Sequence, residues 1–201
     1  MQVKGDKSEN LYDEITKLNN EVVNSKREIE KKNHELKELN RKLEQLVIKD
    51  PMTGLFNRRT LEDRFKSEKA RAKRINYLLT VMMIDVNDFK QVNDIFGHSR
   101  GDELLKILAE IIEHSTREGL DHGYRIGGDE FFIILSDCTE ENAQRIAKRI
   151  NDEFIKHSEI ASLSYGITKV DLESDESFDS CYSRVDQLMY EDKKRKKHKK
   201  Q

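Results

Sequence analysis

The sequence predicts an α+β fold, a mixed sheet flanked by helices and preceded by a long coiled-coil helix. Three observations predict it. Residues 8–47 hold a seven-residue apolar repeat without Gly or Pro. Asp50-Pro51 breaks that pattern, because the residue before proline avoids the α region. The remainder alternates β-α-α-β-β-α-β around a central Gly127-Gly128 hairpin, an order unlike a simple doubly wound α/β sheet. The expected organisation is a flexible N-terminus over 1–10, a parallel coil over 11–47, a globular domain over 48–195 and a basic tail over 196–201.

Within the repeat, Ile15, Val22, Ile29, Leu36 and Leu43 fall at one core position. Leu11, Leu18, Ser25, Lys32, Leu39 and Leu46 fall at the other, so nine of these eleven residues are apolar. A strict 3.5-residue period makes a left-handed coiled-coil seam, and β-branched residues facing leucines favour a parallel pair. Ser25 and Lys32 weaken the middle and help to fix register. Thr53-Gly54-Leu55 then forms a short elbow. Beyond it the expected elements are a helix over about 57–73, a strand over 78–85, helices over 88–96 and 100–115, strands over 123–126 and 130–135, a helix over 139–157, a strand over 162–170 and a helix over 177–195.

Composition narrows the class of function. Charged residues make up 38% of the chain and the hydrophobic set 35%, the dilution a long exposed helix produces. The net charge of −2 gives no general bias toward nucleic acid or an anionic surface. Cys138 and Cys181 lack metal-ligand spacing and fit free thiols in a reduced cytoplasmic protein. No apolar stretch approaches the roughly 18 residues of a membrane span, so the sequence reads as a chain without a membrane segment.

The chemistry concentrates in Gly127-Gly128-Asp129-Glu130-Phe131. Two glycines between Tyr124-Arg125-Ile126 and Phe131-Phe132-Ile133 read as a two-residue hairpin turn, which delivers two carboxylates to the start of a strand. Asp85 ends the apolar run Thr80-Val81-Met82-Met83-Ile84, at the sheet edge where α/β folds place ligand chemistry. Carboxylates that repel one another are reconciled by a cation. Oxygen ligands without His or Cys suit a hard one, Mg²⁺ first and Mn²⁺ second. The pattern points to a metal-assisted phosphate site.

Four separated motifs occur in order: Asp50-Pro51-Met52-Thr53-Gly54-Leu55-Phe56-Asn57-Arg58-Arg59, the Asp85 to Asp94 segment, Gly97-His98-Ser99-Arg100-Gly101-Asp102-Glu103, and Arg125-Ile126-Gly127-Gly128-Asp129-Glu130-Phe131. Together, over roughly 48–195, they resemble the GGDEF family of diguanylate cyclases, which condense two GTP into cyclic di-GMP. The resemblance implies a nucleotidyl-cyclase-like palm and Asp85, Asp129 and Glu130 as catalytic acids. The same three, with the Val86 carbonyl, become the metal ligands. Glu130 is the acid closest to the activated 3′-hydroxyl, as base or as ligand. Asn93 and Asp102 match the guanine-reading pair, and Asp102 argues for GTP over ATP. Asp88 and Phe89 match a phosphate site at a helix N-terminus, Lys193 and Lys197 match the cations on the last helix, and Arg125 joins the substrate contacts. Gly97, His98 and Gly101 are assigned to the turn between two helices.

The chain departs from the family pattern at three places. Asn87 stands where an aspartate is common, which would weaken metal affinity. Lys197 replaces an arginine and keeps charge while losing bidentate geometry. Glu118 stands where an inhibitory arginine belongs, with Asp121 retained, so feedback inhibition by product through that site is not expected. The run from Lys193 to Lys200 reads as a solvated tail with one or two phosphate contacts. An active diguanylate cyclase, dimeric through its coil, is the first reading, and a catalytically silent GGDEF domain that signals by binding GTP or a partner is the second. A coiled-coil DNA-binding dimer fits poorly, because no basic region precedes the repeat, and no nucleic-acid partner is expected.

Overall fold

A computed structural model describes residues 17–20, 22–38, 48–158 and 160–199. The chain divides into two compact units, Met1–Val47 and Ile48–Gln201. The flexible start expected over 1–10, the seam positions Leu11, Ile15, Leu39, Leu43 and Leu46, and the last two residues of the tail lie outside the described residues.

In the first unit, residues 17–20 and 22–38 are helical. Seam residues Leu18, Val22, Ile29 and Leu36 are 55%, 64%, 60% and 56% exposed in the single chain. Lys32 sits 3.1 Å from Glu28 one turn earlier, a surface pair worth a few tenths of a kcal/mol.

The second unit is a five-stranded mixed sheet with helices on both faces. Its elements are β1 (Phe56–Asn57), a 3₁₀ turn (Arg58–Thr60), α1 (Leu61–Ile75), β2 (Leu79–Asn87), α2 (Phe89–Phe96), α3 (His98–Ser115), β3 (His122–Arg125), β4 (Glu130–Ser136), α4 (Glu140–Phe154), β5 (Ser162–Lys169) and α5 (Phe178–Lys199). The strand order is β1-β3-β4-β2-β5. Only β1 against β3 is parallel among these pairs; the others are antiparallel. The sequence order of elements is as expected, with β1 added. The helix expected from about 57 starts instead with β1 and the 3₁₀ turn.

Strand β2 is central and buried at all nine positions, which is why the stretch 81–84 within it reads as a continuous apolar run. Its side chains alternate between two cores. Met82, Ile84 and Val86 join Phe131, Ile133 and Leu135 under α3 and α4, through Leu104, Leu108, Ala143 and Phe154. Val81 and Met83 join Phe132 and Ile134 under α1 and α5, through Leu61, Phe65, Val185 and Met189. Helix α5 lies flush on β5 because of Gly166, where an added Cβ would stand 2.1 Å from the Val185 carbonyl oxygen. Both cysteines are free and buried, and burial pushes the Cys181 thiol up to about 12. Among the described residues no helix is long and apolar enough to cross a membrane.

The basic tail expected over 196–201 is ordered helix through Lys199. Lys196 donates to the Leu163 carbonyl at 2.7 Å and to Asp192 at 2.6 Å. Asp192 is buried and accepts from the backbone N–H of Tyr165 at 3.2 Å. These bonds fasten Lys196 to β5, while Lys194, Arg195, Lys197 and His198 are exposed.

Candidate active site

Asp85 is opposite Glu130 in the β2–β4 ladder, so their side chains share a face of the sheet. Asp85 is 6% exposed, and Lys193 of α5 donates to its Oδ1 at 2.5 Å. Asp129 precedes β4, and its carbonyl accepts from the Val86 N–H at 3.2 Å. Burial raises the Asp129 carboxyl above its ordinary range, with the Asp85 charge adding to the effect. Glu130 is raised by burial, then by Asp85, Asp129 and Asp186, while Lys193 acts in the opposite sense. The sheet thus gathers acids that ionise against one another, with one ammonium partly offsetting them.

A divalent cation suits that imbalance. All donors are oxygens, and a cation would favour the ionised form of acids that burial now disfavours. As placed, no three acidic, histidine or cysteine side chains converge on a single point among the described residues; the Lys193 ammonium holds one Asp85 oxygen. The residues fit a hard cation by chemistry and charge. Asp85, Asp129, Glu130 and the Val86 carbonyl are the groups that would hold it.

The turn differs from the expected two-residue hairpin. Ile126 N–H donates to the Glu130 carbonyl at 3.0 Å, which leaves Gly127, Gly128 and Asp129 as a three-residue loop. Neither glycine has a positive φ, so the left-handed conformations of a type I′ turn are not what selects them. An added Cβ at Gly127 would lie 2.6 Å from Glu130 Oε2, so a side chain there would displace the Glu130 carboxylate. Asp129 therefore lies in the loop and not on the strand.

Arg125, expected among the substrate contacts, is spent elsewhere. Its Nη2 and Nε donate to the Gly128 carbonyl at 2.7 and 3.2 Å, and its Nη1 donates to Asp50 Oδ1 at 3.2 Å. Sequence reasoning missed this pairing because the partners are 75 positions apart.

Asn93 on α2 packs against Gly101 on α3, the residue before Asp102. Gly101, assigned by sequence to the turn, lies inside the first turns of α3. A Cβ there would meet Asn93 Oδ1 at 2.0 Å and Phe89 Cζ at 3.1 Å. The absent side chain is the space that the Asn93 amide fills, next to Asp102. Gly97, with φ +84, makes the turn itself. Asp88 is also left-handed, φ +61, at the entrance to α2, where it brings Phe89 and the first N–H groups of that helix toward the end of β2. Lys197 is exposed one turn beyond Lys193 on α5.

The departures from the family pattern acquire structural reasons. Asn87 is buried and bridges two strand hydroxyls: its Nδ2 donates to Ser162 Oγ at 3.1 Å, and Ser164 Oγ donates to its Oδ1 at 2.9 Å. Its amide has a structural task that a carboxylate could not perform in full, since a carboxylate cannot donate. At the inhibitory position, Asp121 is not available to a ligand. Its side chain is 0% exposed and accepts from the Arg117 N–H, Nε and Nη2 at 2.9, 3.0 and 2.8 Å and from the Ser136 N–H at 3.2 Å. Glu118 is exposed. A cavity of about 530 Å³ on that side, lined by Lys49, Phe56, His114, Arg117 and His122 among others, includes none of the candidate acids Asp85, Asp129 and Glu130 in its lining.

Comparisons with known proteins agree with this geometry. Residues 47–199 match the family described as Diguanylate cyclase, GGDEF domain. A diguanylate cyclase of Vibrio cholerae is 36% identical over 157 residues, 75% of this chain and 48% of that protein. The active GGEEF domain of a Vibrio cholerae diguanylate cyclase superposes with a TM-score of 0.64 at 34% identity, covering 69% of this chain and 91% of that one. The diguanylate cyclase SiaD of Pseudomonas aeruginosa, solved with its activator SiaC, gives a TM-score of 0.67 at 28% identity over 94% of this chain and 74% of that one. The chain spans a third to a half of the length of the first curated relatives it matches.

Proposed function

Because the chain belongs to the GGDEF family, we propose that it is a diguanylate cyclase, joining two GTP into cyclic di-GMP with release of two pyrophosphates. The observation that carries this reading is Asp85 facing Glu130 in the β2–β4 ladder, with Asp129 next in sequence and Lys193 bonded to Asp85. In each half-reaction a 3′-hydroxyl gives up its proton, to the Glu130 carboxylate or to water, and its oxygen bonds to the α-phosphorus of the facing nucleotide while the bond from that phosphorus to the bridging oxygen breaks and pyrophosphate leaves. Asn93 and Asp102 select guanine: the Asp102 carboxylate accepts from the N1–H and exocyclic amine, a donor pair adenine lacks, and a mismatched base leaves buried polar groups unpaired. The N–H groups at the start of α2, with Lys193 and Lys197, hold the triphosphate by charge and hydrogen bonds. Glu130 stands nearest the attacking hydroxyl. A bound Mg²⁺ or Mn²⁺ would lower the hydroxyl's pKa and neutralise phosphate charge. The remaining work is positioning, which is most of what phosphoryl transfer requires.

The stoichiometry calls for two domains face to face, since each guanylate supplies a hydroxyl to the other's phosphorus. The exposed stripe of Leu18, Val22, Ile29 and Leu36 supports a parallel coil as the device that pairs them. A cytoplasmic location accords with GTP as substrate and with reduced cysteines. The direct test is to incubate purified protein with GTP and Mg²⁺ and detect cyclic di-GMP by mass. GTP binding without product would put the catalytically silent reading in its place.

A further inference from the structure

We propose that Arg125 is a positioning residue, tying the elbow that enters the catalytic domain to the backbone of the Gly127–Asp129 loop. The geometry of the catalytic acids is thereby made to depend on the elbow. The proposal rests on the cyclase reading above and adds a residue pair to it. Arg125 is a fork with both ends used. One end grips the Gly128 carbonyl through two donors, and the other grips Asp50. The side chains of Arg125 and Asp50 are 12% and 20% exposed, a setting in which an ion pair is less screened than on an open surface.

The Asp50 end is itself anchored. Its Oδ1 accepts from the Thr53 N–H at 2.9 Å and from Thr53 Oγ1 at 2.7 Å. The elbow is closed by Asp50 N–H to the Leu55 carbonyl at 2.7 Å and Gly54 N–H to the Asp50 carbonyl at 2.9 Å. Against the upward push of burial, hydrogen bonds from Thr53 and the Arg125 charge hold the Asp50 carboxyl below its usual range. Leu55 is buried in the core under α3 and α4, and β1 runs on from it beside β3, with Asn57 opposite Arg125. The elbow is therefore a rigid body attached to the strand that carries Arg125.

The loop end, by contrast, is permissive. It contains two glycines, and Gly128 is exposed, with open space where a Cβ would stand. If Arg125 let go, water would solvate the Gly128 carbonyl at little cost to stability. What would be lost is the orientation of the next two residues, Asp129 and Glu130. The strut thus serves geometry more than folding, and its far end lies in the segment that directly follows the coil in sequence.

Charge and position give opposite signs, which makes the idea testable. Removing a cation beside clustered carboxylates raises affinity for a divalent ion if only the field matters. If Arg125 positions the loop, Arg125→Met lowers that affinity. The experiment is Mn²⁺ binding to the nucleotide-free full chain by electron paramagnetic resonance, alongside kcat and KM for GTP and thermal unfolding. The expected result is Mn²⁺ affinity and kcat each lower by about tenfold, a loss of about 1.4 kcal/mol, with KM within about twofold. Asp50→Asn, which leaves Arg125 in place, should move the same quantities in the same direction by a smaller factor. The double variant should be no worse than Arg125→Met alone, because contacting residues are not additive. Tighter or unchanged Mn²⁺ binding in Arg125→Met, or additive losses in the double variant, overturns the proposal. Should Arg125→Met fail to fold, Mn²⁺ binding and kcat unchanged in Asp50→Asn overturn it. Wild type that binds Mn²⁺ but makes no cyclic di-GMP refutes the cyclase reading separately, while the binding comparison still decides the strut.

Discussion

Gly101→Ala is expected to damage nucleotide recognition without damaging the fold. The added methyl would stand 2.0 Å from Asn93 Oδ1 and 3.0 Å from its Cγ, so the amide must swing out of the α2–α3 corner. The new contact falls on the end of a side chain and not on backbone, so the helices need not part. Alanine is the better helix former by about 0.5–1 kcal/mol, equivalent to a melting-temperature rise of at most about 2–4 °C in a chain of this size. The displaced amide gives up a hydrogen bond to the base, worth about 0.5–1.5 kcal/mol, or about 1–3 kcal/mol if a guanine group is left buried and unpaired. GTP affinity should therefore fall between about twofold and a hundredfold. The assay is GTP binding by calorimetry and competition against ATP, with Asn93→Ala measured beside it. Gly101→Ala should approach Asn93→Ala in both affinity and base preference, and combining them should add little. A folded Gly101→Ala protein with unchanged GTP affinity and unchanged preference over ATP would refute the claim that this glycine exists to seat Asn93.

Three further outcomes follow. Glu130→Gln removes a charge but not the shape, and turnover should drop by about a hundredfold or more, since replacing several kcal/mol of charge stabilisation at phosphorus is not within reach of an amide; product formation at the parental rate would sink the assignment of Glu130. Ile29→Asp with Leu36→Asp should bury unpaired charge in the seam, so specific activity should fall in proportion on hundredfold dilution while the parent stays flat, as linked domains at effective millimolar concentration must; a flat profile in the variant would show the coil dispensable. Burial, followed by the Arg64 charge, lowers the pKa of His122, against the opposing effect of Glu68 at 4.0 Å and Asp121, with Arg71 adding to the lowering. The unfolded chain then binds a proton more readily than the folded one, so His122 costs stability as pH falls through about 6.5; denaturant midpoints measured from pH 8 to 5.5 should fall less steeply in His122→Asn, and identical slopes would show that His122 does not couple to folding.

What the sequence made legible followed from period and chemistry. The alternation of Val81, Met82, Met83 and Ile84 read as a buried strand because both faces of β2 are covered, and Asp85 stood out because a charge ends that run. Asn93 and Asp102 were singled out through resemblance, whereas the packing of Asn93 against Gly101 was not legible, since it depends on two helices meeting. Phe56–Asn57 is too short for any period to register, and it is held by β3, which lies far along the chain. The run from Lys193 reads as solvated because lysine runs usually are, and Lys194, Arg195, Lys197 and His198 are exposed; what the sequence could not show is that Asp192 and the Leu163 carbonyl give Lys196 somewhere to bond. The Gly-Gly loop was assigned by composition, whereas its geometry is set by the Glu130 side chain and by Arg125.

Asp85, an acid of the proposed site, grows from the strand with neighbours on both edges and helices on both faces, while the proposed base-reading residues lie at the corner of α2 and α3, outside the sheet. Stability is not uniform across such a structure: interior strands open only when everything opens, and peripheral helix pairs open by themselves. The two halves of the proposed site therefore belong to different tiers of protection. Under mild denaturant or warming, α2 with Asn93 can loosen while Asp85 remains clamped, so discrimination among nucleotides should fade before the acids disperse. Amide exchange along β2 would trail every other segment, and a chain worn by stress would turn indiscriminate before it turned inert.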